Sequence, residues 1–191
     1  MKSILHTIFV REPHVCPWWC CFTFDNPIRR LFHNPLRILS PYIRHGNTAV
    51  DIGPGMGFFT PAMCRLVGKK GRVIAVDLQQ RMLDGLARRV EKQGLSDRLK
   101  AHLATPTHLG VNDKADFILA FWMVHEVPDK QAFYRQVAHL LKPGGRFFLV
   151  EPRVHVSKKG FHETVRAATG AGLKVKETPK VAFSRTAVFG L

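Results

Sequence analysis

"VDIGPGMGFFT", residues 50–60, decides how the rest of the chain is read. A short apolar run meets an acid, turns through Gly53, Gly55 and Gly57, and becomes aromatic and apolar again. "TAVDI" (48–52) before the turn suits a buried strand. The residues after it place Phe59, Met63, Leu66 and Val67 on one face of a helix that stops at Gly68. A glycine corner of this kind lets a ligand approach bare backbone, or it is simply a tight strand–helix corner that binds nothing.

Outward from this turn, strand-like and helix-like segments alternate. "RVIAVDL" (72–78) predicts a second strand, and Leu83, Leu86 and Val90 predict the inner face of a helix ending at Gly94. "LKAHLAT" (99–105) and "ADFILAFW" (115–122) read as strands three and four, the latter apolar throughout, as a strand covered on both faces would be. Asp129 caps a helix carrying Phe133, Val137, Leu140 and Leu141, which "KPGG" (142–145) ends. "RFFLVEP" (146–152) is a fifth strand, followed by a helix over about 160–170. "LKVKET" (173–178) and "TAVFGL" (186–191) have only a short connection and should pair as an antiparallel hairpin. Five β–α units and a hairpin specify an α/β fold with an open, doubly wound, mostly parallel sheet. Such sheets bind ligands beyond the carboxyl ends of their strands, where the glycine turn falls.

A chain of 191 residues, 46% of them apolar, suits one domain with a sizeable core. Residues 46–191 carry the alternating pattern. Residues 1–45 are rich in aromatics, Cys and Pro and show no clear period. They read as a cap over the ligand edge of the sheet, or as an extension packed on the side of the core. The apolar run "ILHTIFV" (4–10) is too short to span a bilayer and has no secretory cleavage site, so a soluble, cytoplasmic protein is expected. Cys16, Cys20, Cys21 and Cys64 read as reduced thiols rather than a disulfide scaffold.

Twenty-nine Lys and Arg against 14 Asp and Glu give a net charge of +15, a field that attracts anions of every kind. The bases are scattered rather than gathered in one tract, which leaves nucleic acid open as a partner without favouring it. Nothing in the sequence sets an oligomeric state.

The dinucleotide fingerprint needs a third small residue where this chain has Phe58, and no Lys–Ser or Lys–Thr pair follows the turn. Neither NAD nor a phosphate-cradling loop fits well. Asp77, ending the second strand, can accept both hydroxyls of a ribose, although a solvated acid at a strand end would look the same.

"VDIGPGMGFFT", "VIAVDL", "DFILAFWMVHEV" and "LLKPGGRFFLVEP" follow in this order over residues 47–152. Together they resemble the four signature blocks of class I S-adenosylmethionine-dependent methyltransferases. The nearest likeness is to small-molecule enzymes of the ubiquinone/menaquinone- and arsenite-methylating type, where "HEVPD" and "LKPGG" often recur. The resemblance implies a seven-stranded, Rossmann-like sheet with the terminal hairpin, and S-adenosylmethionine as cofactor. It also implies Gly53, Gly55 and Gly57 against the methionine portion, Asp51 near its ammonium, Asp77 on the ribose and Leu78 against adenine. The carbonyl of Ala120 or Phe121 would take the ammonium. Many relatives meet the adenine amine with an acid after the third strand; here that position offers Thr105.

Methyl transfer is an in-line displacement at a carbon already activated by the sulfonium, and orientation alone can be worth about 7–11 kcal/mol. A base is needed only where the acceptor must shed a proton. "HEV" puts His125 and Glu126 just beyond the fourth strand. His125 titrates in the useful range and is the candidate base, unless it merely caps a helix or lines the pocket. Trp18, Trp19, Phe22 and Phe24 suit the wall of a pocket for a flat or apolar acceptor, with Trp122 facing them, or plain core packing. His14, Cys16, Cys20 and Cys21 have neither CxxC nor zinc-finger spacing, and no metal site is assigned to them. Arg29 and Arg30 suit an anionic group at the pocket mouth, or a solvated basic pair.

The short gap at about 152–160 holds no inserted lid domain, which favours a small acceptor or one delivered by a partner. The sequence thus points to an S-adenosylmethionine-dependent methyltransferase with a small, apolar or aromatic acceptor. The alternatives are an RNA or other macromolecular methyltransferase, or a non-catalytic nucleoside-binding module.

Overall fold

The structure, a computed structural model, describes residues 27–191. Two short helices, α1 (Pro27–Phe32) and α2 (Pro35–Leu39), lead into β1 (Thr48–Ile52), α3 (Thr60–Val67), β2 (Arg72–Asp77) and α4 (Gln80–Glu91). Then come β3 (Leu99–Leu103), β4 (Ala115–Phe121), α5 (Lys130–Leu140), β5 (Leu141–Pro152), α6 (Lys158–Gly170), β6 (Lys174–Glu177) and β7 (Ser184–Gly190). The seven strands form one sheet in the order β3-β2-β1-β4-β5-β7-β6. Strands β1 to β5 run parallel, and β7 is antiparallel to both β5 and β6. The strand order reverses between β1 and β4, so the crevice beyond their carboxyl ends is the switch point of the sheet.

Successive side chains of a strand point to opposite faces, and each strand therefore feeds two cores. Val50, Ile52, Ile118 and Leu149 pack with Phe133, Tyr134 and Val137 of α5 and Phe161 of α6. On the other face Ala49, Leu119, Phe148 and Val150 pack with Leu39, Met63, Leu83 and Leu86 of α2, α3 and α4. Each fully buried side chain of this size is worth roughly 1.5–3 kcal/mol. Covering both faces explains why β1 and β4 are apolar apart from Thr48, Asp51 and Asp116. Ile43, in the stretch between α2 and β1, is also part of the second core.

Local signals set the helix ends. The Asp129 carboxylate accepts the Ala132 N–H at 2.9 Å and starts α5. The Ser157 hydroxyl accepts the Gly160 N–H at 3.0 Å and starts α6. Gly68, at φ 67°, ends α3. "KPGG" behaves differently from its sequence expectation. It lies inside β5, which begins at Leu141 directly after α5. Leu141 pairs with Ala115, and the register then shifts to Phe117 opposite Arg146. Lys142 to Gly145 thus form an irregularity in the strand, with Gly144 at φ 80°. Lys142 Nζ donates to both carboxylate oxygens of Asp116, at 2.9 and 2.8 Å, which ties the irregularity to the neighbouring strand. Among the described residues no helix is long and apolar enough to cross a membrane.

Candidate active site

The glycine turn leaves β1 at its carboxyl end, with the Gly53 N–H donating to the Val76 carbonyl of β2 at 2.8 Å. Gly53 has φ 64°, and a Cβ there would stand 2.9 Å from Met123 Cγ, so both the backbone and the neighbour require glycine. Gly57, at φ 80°, is required for a different reason: its missing side chain makes room for Leu86 of α4, 2.9 Å from where a Cβ would sit. That contact brings α4 against the turn.

Two acids stand behind the turn. Asp51 is 2% exposed, and its Oδ2 accepts the Thr60 hydroxyl at 2.7 Å. Burial lifts its pKa to about 7, against the opposing Thr60 hydrogen bond and helped by the nearby charge of Asp77. Asp77 is 9% exposed and accepts backbone N–H groups of Gln79, Gly55 and Leu78, the first at 2.9 Å. Burial outweighs those bonds and lifts its pKa to about 6, with the Glu126 charge adding to the rise. The Gly55–Asp77 bond links the turn after β1 directly to the end of β2.

At the far side, β4 ends in Phe121 and the chain turns sharply at Trp122, a non-glycine residue at φ 61°. The Trp122 N–H donates to the Val150 carbonyl at 2.7 Å and its Nε1 to the Ser184 hydroxyl at 3.0 Å, which hold this strained conformation. His33, after α1, is buried and stands edge-on to Phe121 and Trp122, with ring centroids 5.5 and 5.1 Å away. Burial lowers its pKa, and its Nε2 bonds the Ala182 carbonyl at 2.8 Å. The Arg29 guanidinium lies 4.2 Å from the Phe58 ring centroid and 4.8 Å from that of Trp122. A single turn of 3₁₀ helix, Val124–Glu126, then presents His125, whose Nδ1 bonds Glu151 Oε2 at 2.8 Å. That hydrogen bond raises the His125 pKa against the effect of burial, and the charges of Glu151 and Glu126 add to it.

One cavity of about 830 Å³ joins both ends. Asp51, Gly53, Gly55, Asp77, Leu78 and Thr105 line it on one side, and Phe121, Trp122, His125, Glu126 and Arg29 on the other. Gly57 and Ala120 do not reach it: Gly57 packs under Leu86, and Ala120 is fully buried in the β1–β4–β5 ladder. Thr105 is exposed and bonded within its own turn, donating its N–H to the His108 carbonyl at 3.0 Å and accepting the His108 N–H on its hydroxyl at 3.1 Å. Trp18, Trp19, Phe22 and the cysteines at 16, 20 and 21 lie outside the described residues. Among the described residues no group of three or more His, Cys, Asp or Glu could hold a metal ion.

Sequence reasoning passed over Glu151, although an acid inside the apolar run "FFLVEP" was its signal. Met123 and His155, which also line the cavity, carried none.

A seven-stranded sheet of this order, a glycine turn at its switch point and an acid ending β2 define a nucleoside-binding α/β fold of the methyltransferase kind. Residues 50–149, just over half the chain, match the family described as Methyltransferase domain, and the chain belongs to that family. It is of the class I type, whose cofactor is S-adenosylmethionine. The chain is 28% identical over 128 residues to the demethylmenaquinone methyltransferase of Lactobacillus johnsonii, a match covering 66% of this chain and 50% of that protein. It is 33% identical over 110 residues to a ubiquinone/menaquinone biosynthesis C-methyltransferase of a Marinomonas species, covering 57% and 44%. The chain spans about half the length of the curated relatives it matches. A methyltransferase structure from Aquifex aeolicus superposes with a TM-score of 0.81 at 23% identity, covering 92% of this chain and all of that one. Fibrillarin from Aeropyrum pernix, solved with natively bound S-adenosylmethionine, gives 0.63 at 14% identity over 78% of this chain and 68% of its own. At such identities the likeness establishes the fold.

Proposed function

We propose that the chain transfers the methyl group of S-adenosylmethionine to a small, apolar or aromatic acceptor. The single observation carrying this reading is the continuous cavity that runs from Asp77 and Leu78 to Trp122 and His125. It has room for a nucleoside and a second small molecule end to end. Its chemistry suits the cofactor. Burial makes the carboxylate form of each acid costly, and a ligand bringing an ammonium, a sulfonium and two ribose hydroxyls relieves that cost. Asp77 would accept the ribose hydroxyls, Leu78 would lie against adenine, and Thr105 would stand at the adenine edge. Gly53 and Gly55 would admit the methionine portion, with Asp51 and the Phe121 carbonyl near its ammonium.

Bound there, S-adenosylmethionine supplies an electrophilic methyl carbon. The chain's own part is to keep the acceptor in line with it and to exclude water. Phe121, Trp122 and Phe58 offer flat apolar walls for a ring, and Arg29 of α1 lines the cavity at the acceptor end. Relatives named for menaquinone and ubiquinone biosynthesis support an acceptor with an aromatic or quinone-type ring.

Isothermal titration with S-adenosylmethionine, S-adenosylhomocysteine and NADH, repeated with Asp77→Ala, tests the reading. Micromolar binding of the two sulfur nucleosides, lost in the variant, is the expected result. Folded protein that binds neither would overturn it.

A further inference from the structure

We infer that Glu151 is a positioning residue that holds His125 ready to take a proton from the methyl acceptor. The acceptor's reacting atom is then one that becomes nucleophilic by losing a proton, as in a phenol or an enol. The inference rests on the methyl transfer proposed above and names the acceptor class of that same site.

Glu151 lies near the carboxyl end of β5 and is 1% exposed, as deep as the apolar residues around it. A carboxylate buried this far is costly without a partner. Its partner is one nitrogen of an imidazole whose ring lines the cavity: His125 Nδ1 stands 2.8 Å from Glu151 Oε2. A carboxylate only accepts, so the shared hydrogen belongs to Nδ1, and the neutral ring carries its lone pair on Nε2. Glu126 Oε1 stands 4.0 Å from Nε2, beyond hydrogen-bond reach. The His155 ring stacks on that of His125 with centroids 5.5 Å apart and planes 2° from parallel, which sets the ring plane.

The titratable and charged groups facing His125 are Glu151 from β5, His155 just after it, Glu126 from its own turn and Lys130 from α5. Behind Glu151, Tyr134 of α5 has a buried hydroxyl with no hydrogen-bond partner among the described residues, as has Glu151 Oε1. Arg185, paired across the ladder with Glu151, is turned to the Val156 carbonyl, which its Nε reaches at 3.0 Å. The dyad's direct hydrogen bond therefore joins Glu151 to His125 and to no other described side chain.

In the proposed step, the acceptor hydroxyl gives its proton to His125 Nε2. The electron pair left behind forms the new bond to the methyl carbon, from oxygen or from the conjugated ring carbon, while sulfur keeps the pair of the bond that breaks. After attack through carbon the ring proton leaves and the hydroxyl is restored. His125 then returns its proton to water.

The test uses the full chain and Glu151→Gln. Imidazole NMR titration should show His125 in the Nδ1–H form with a pKa above the ordinary histidine value in the wild type, and a pKa lower by at least about one unit in the variant. With 1,4-naphthohydroquinone as probe acceptor, the maximal rate should fall about 100-fold or more, the range general bases supply. The rising limb of the pH–rate profile should move to lower pH. Should Glu151→Gln not fold, His125→Asn, whose amide can still donate to Glu151, carries the kinetic arm. S-adenosylhomocysteine binding should be unchanged in every variant. An unshifted His125 titration with that binding intact overturns the role of Glu151. Failure of the wild type to methylate the hydroquinone, with binding intact, overturns the acceptor class. Loss of S-adenosylhomocysteine binding from the wild type itself would instead sink the proposed function.

Discussion

The two ends of the cavity are built in opposite ways. The Asp77 end is made of one glycine turn and the end of the next strand: the turn after β1, the end of β2 and the bond from Gly55 to Asp77 that joins them. The Trp122 end gathers more distant sequence. Beside the bond from His125 to Glu151, 26 residues on, it is held by one from Trp122 to Ser184, 62 residues on. A cofactor common to many enzymes can be met by a local motif. An acceptor particular to one is met by whatever side chains the strand ends bring together.

If that contrast is right, damage to one end should spare the other. Asp77→Ala should do the most, weakening S-adenosylhomocysteine binding by about 100-fold or more, since charge-assisted hydrogen bonds are worth about 1.5–3 kcal/mol each. Calorimetry on the folded variant reads this, and its melting temperature should also fall, because the Gln79, Gly55 and Leu78 N–H groups lose their acceptor. Trp122→Ala should raise the acceptor KM about tenfold or more while cofactor affinity holds, a split that steady-state kinetics resolves. Loss of cofactor affinity in this variant would erase the division between the ends. Gly53→Ala should act on both, because its Cβ would press on Met123 and its φ of 64° disfavours any side chain. A destabilisation of about 1–3 kcal/mol in urea melts is expected.

A smaller effect concerns pH. Asp51 and Asp77, raised to about 7 and about 6 from 3.8, bind protons in the folded, ligand-free protein that the unfolded chain has already released. Their contribution to stability is therefore fully present below about pH 4 and is lost as pH rises through 6 to 7. Thermal melts of Asp51→Asn should show a flatter dependence over that window. His125, also raised, adds a loss of stability above its ordinary value of 6.5, which Glu151→Gln should remove. Smallest of all, Ser157→Ala should cost about 1 kcal/mol of stability and leave both ends untouched.

The same contrast explains what could be seen in the sequence. Strand and helix order, the hairpin, the Asp129 cap and the glycine turn are local patterns of periodicity and turn chemistry, and residues a few positions apart decide them. "KPGG" misled because a Pro–Gly cluster ordinarily ends an element, whereas here pairing of Leu141 with Ala115 carries the strand through it. Gly57 was legible as a glycine that must be there, but not as one that serves helix packing, because Leu86 lies on the next helix. Glu151 stood out as an acid in an apolar strand, yet its partner could not be named without knowing that the ends of β4 and β5 lie side by side. Trp122 at φ 61° had no local mark at all, since tryptophan rarely signals a left-handed turn.

The buried acids behind the glycine turn have one further consequence. On the proposed reading, filling the cofactor end with a cation drives Asp51 and Asp77 towards their charged forms, and protons leave for solvent. Once the methyl is passed on, the spent cofactor is a neutral thioether at sulfur, and the carboxylates lose part of what held them charged. Each turnover then draws protons in and out at the cofactor end, independently of any proton taken from the acceptor. Near neutrality, the buffer becomes a participant in how fast the site empties.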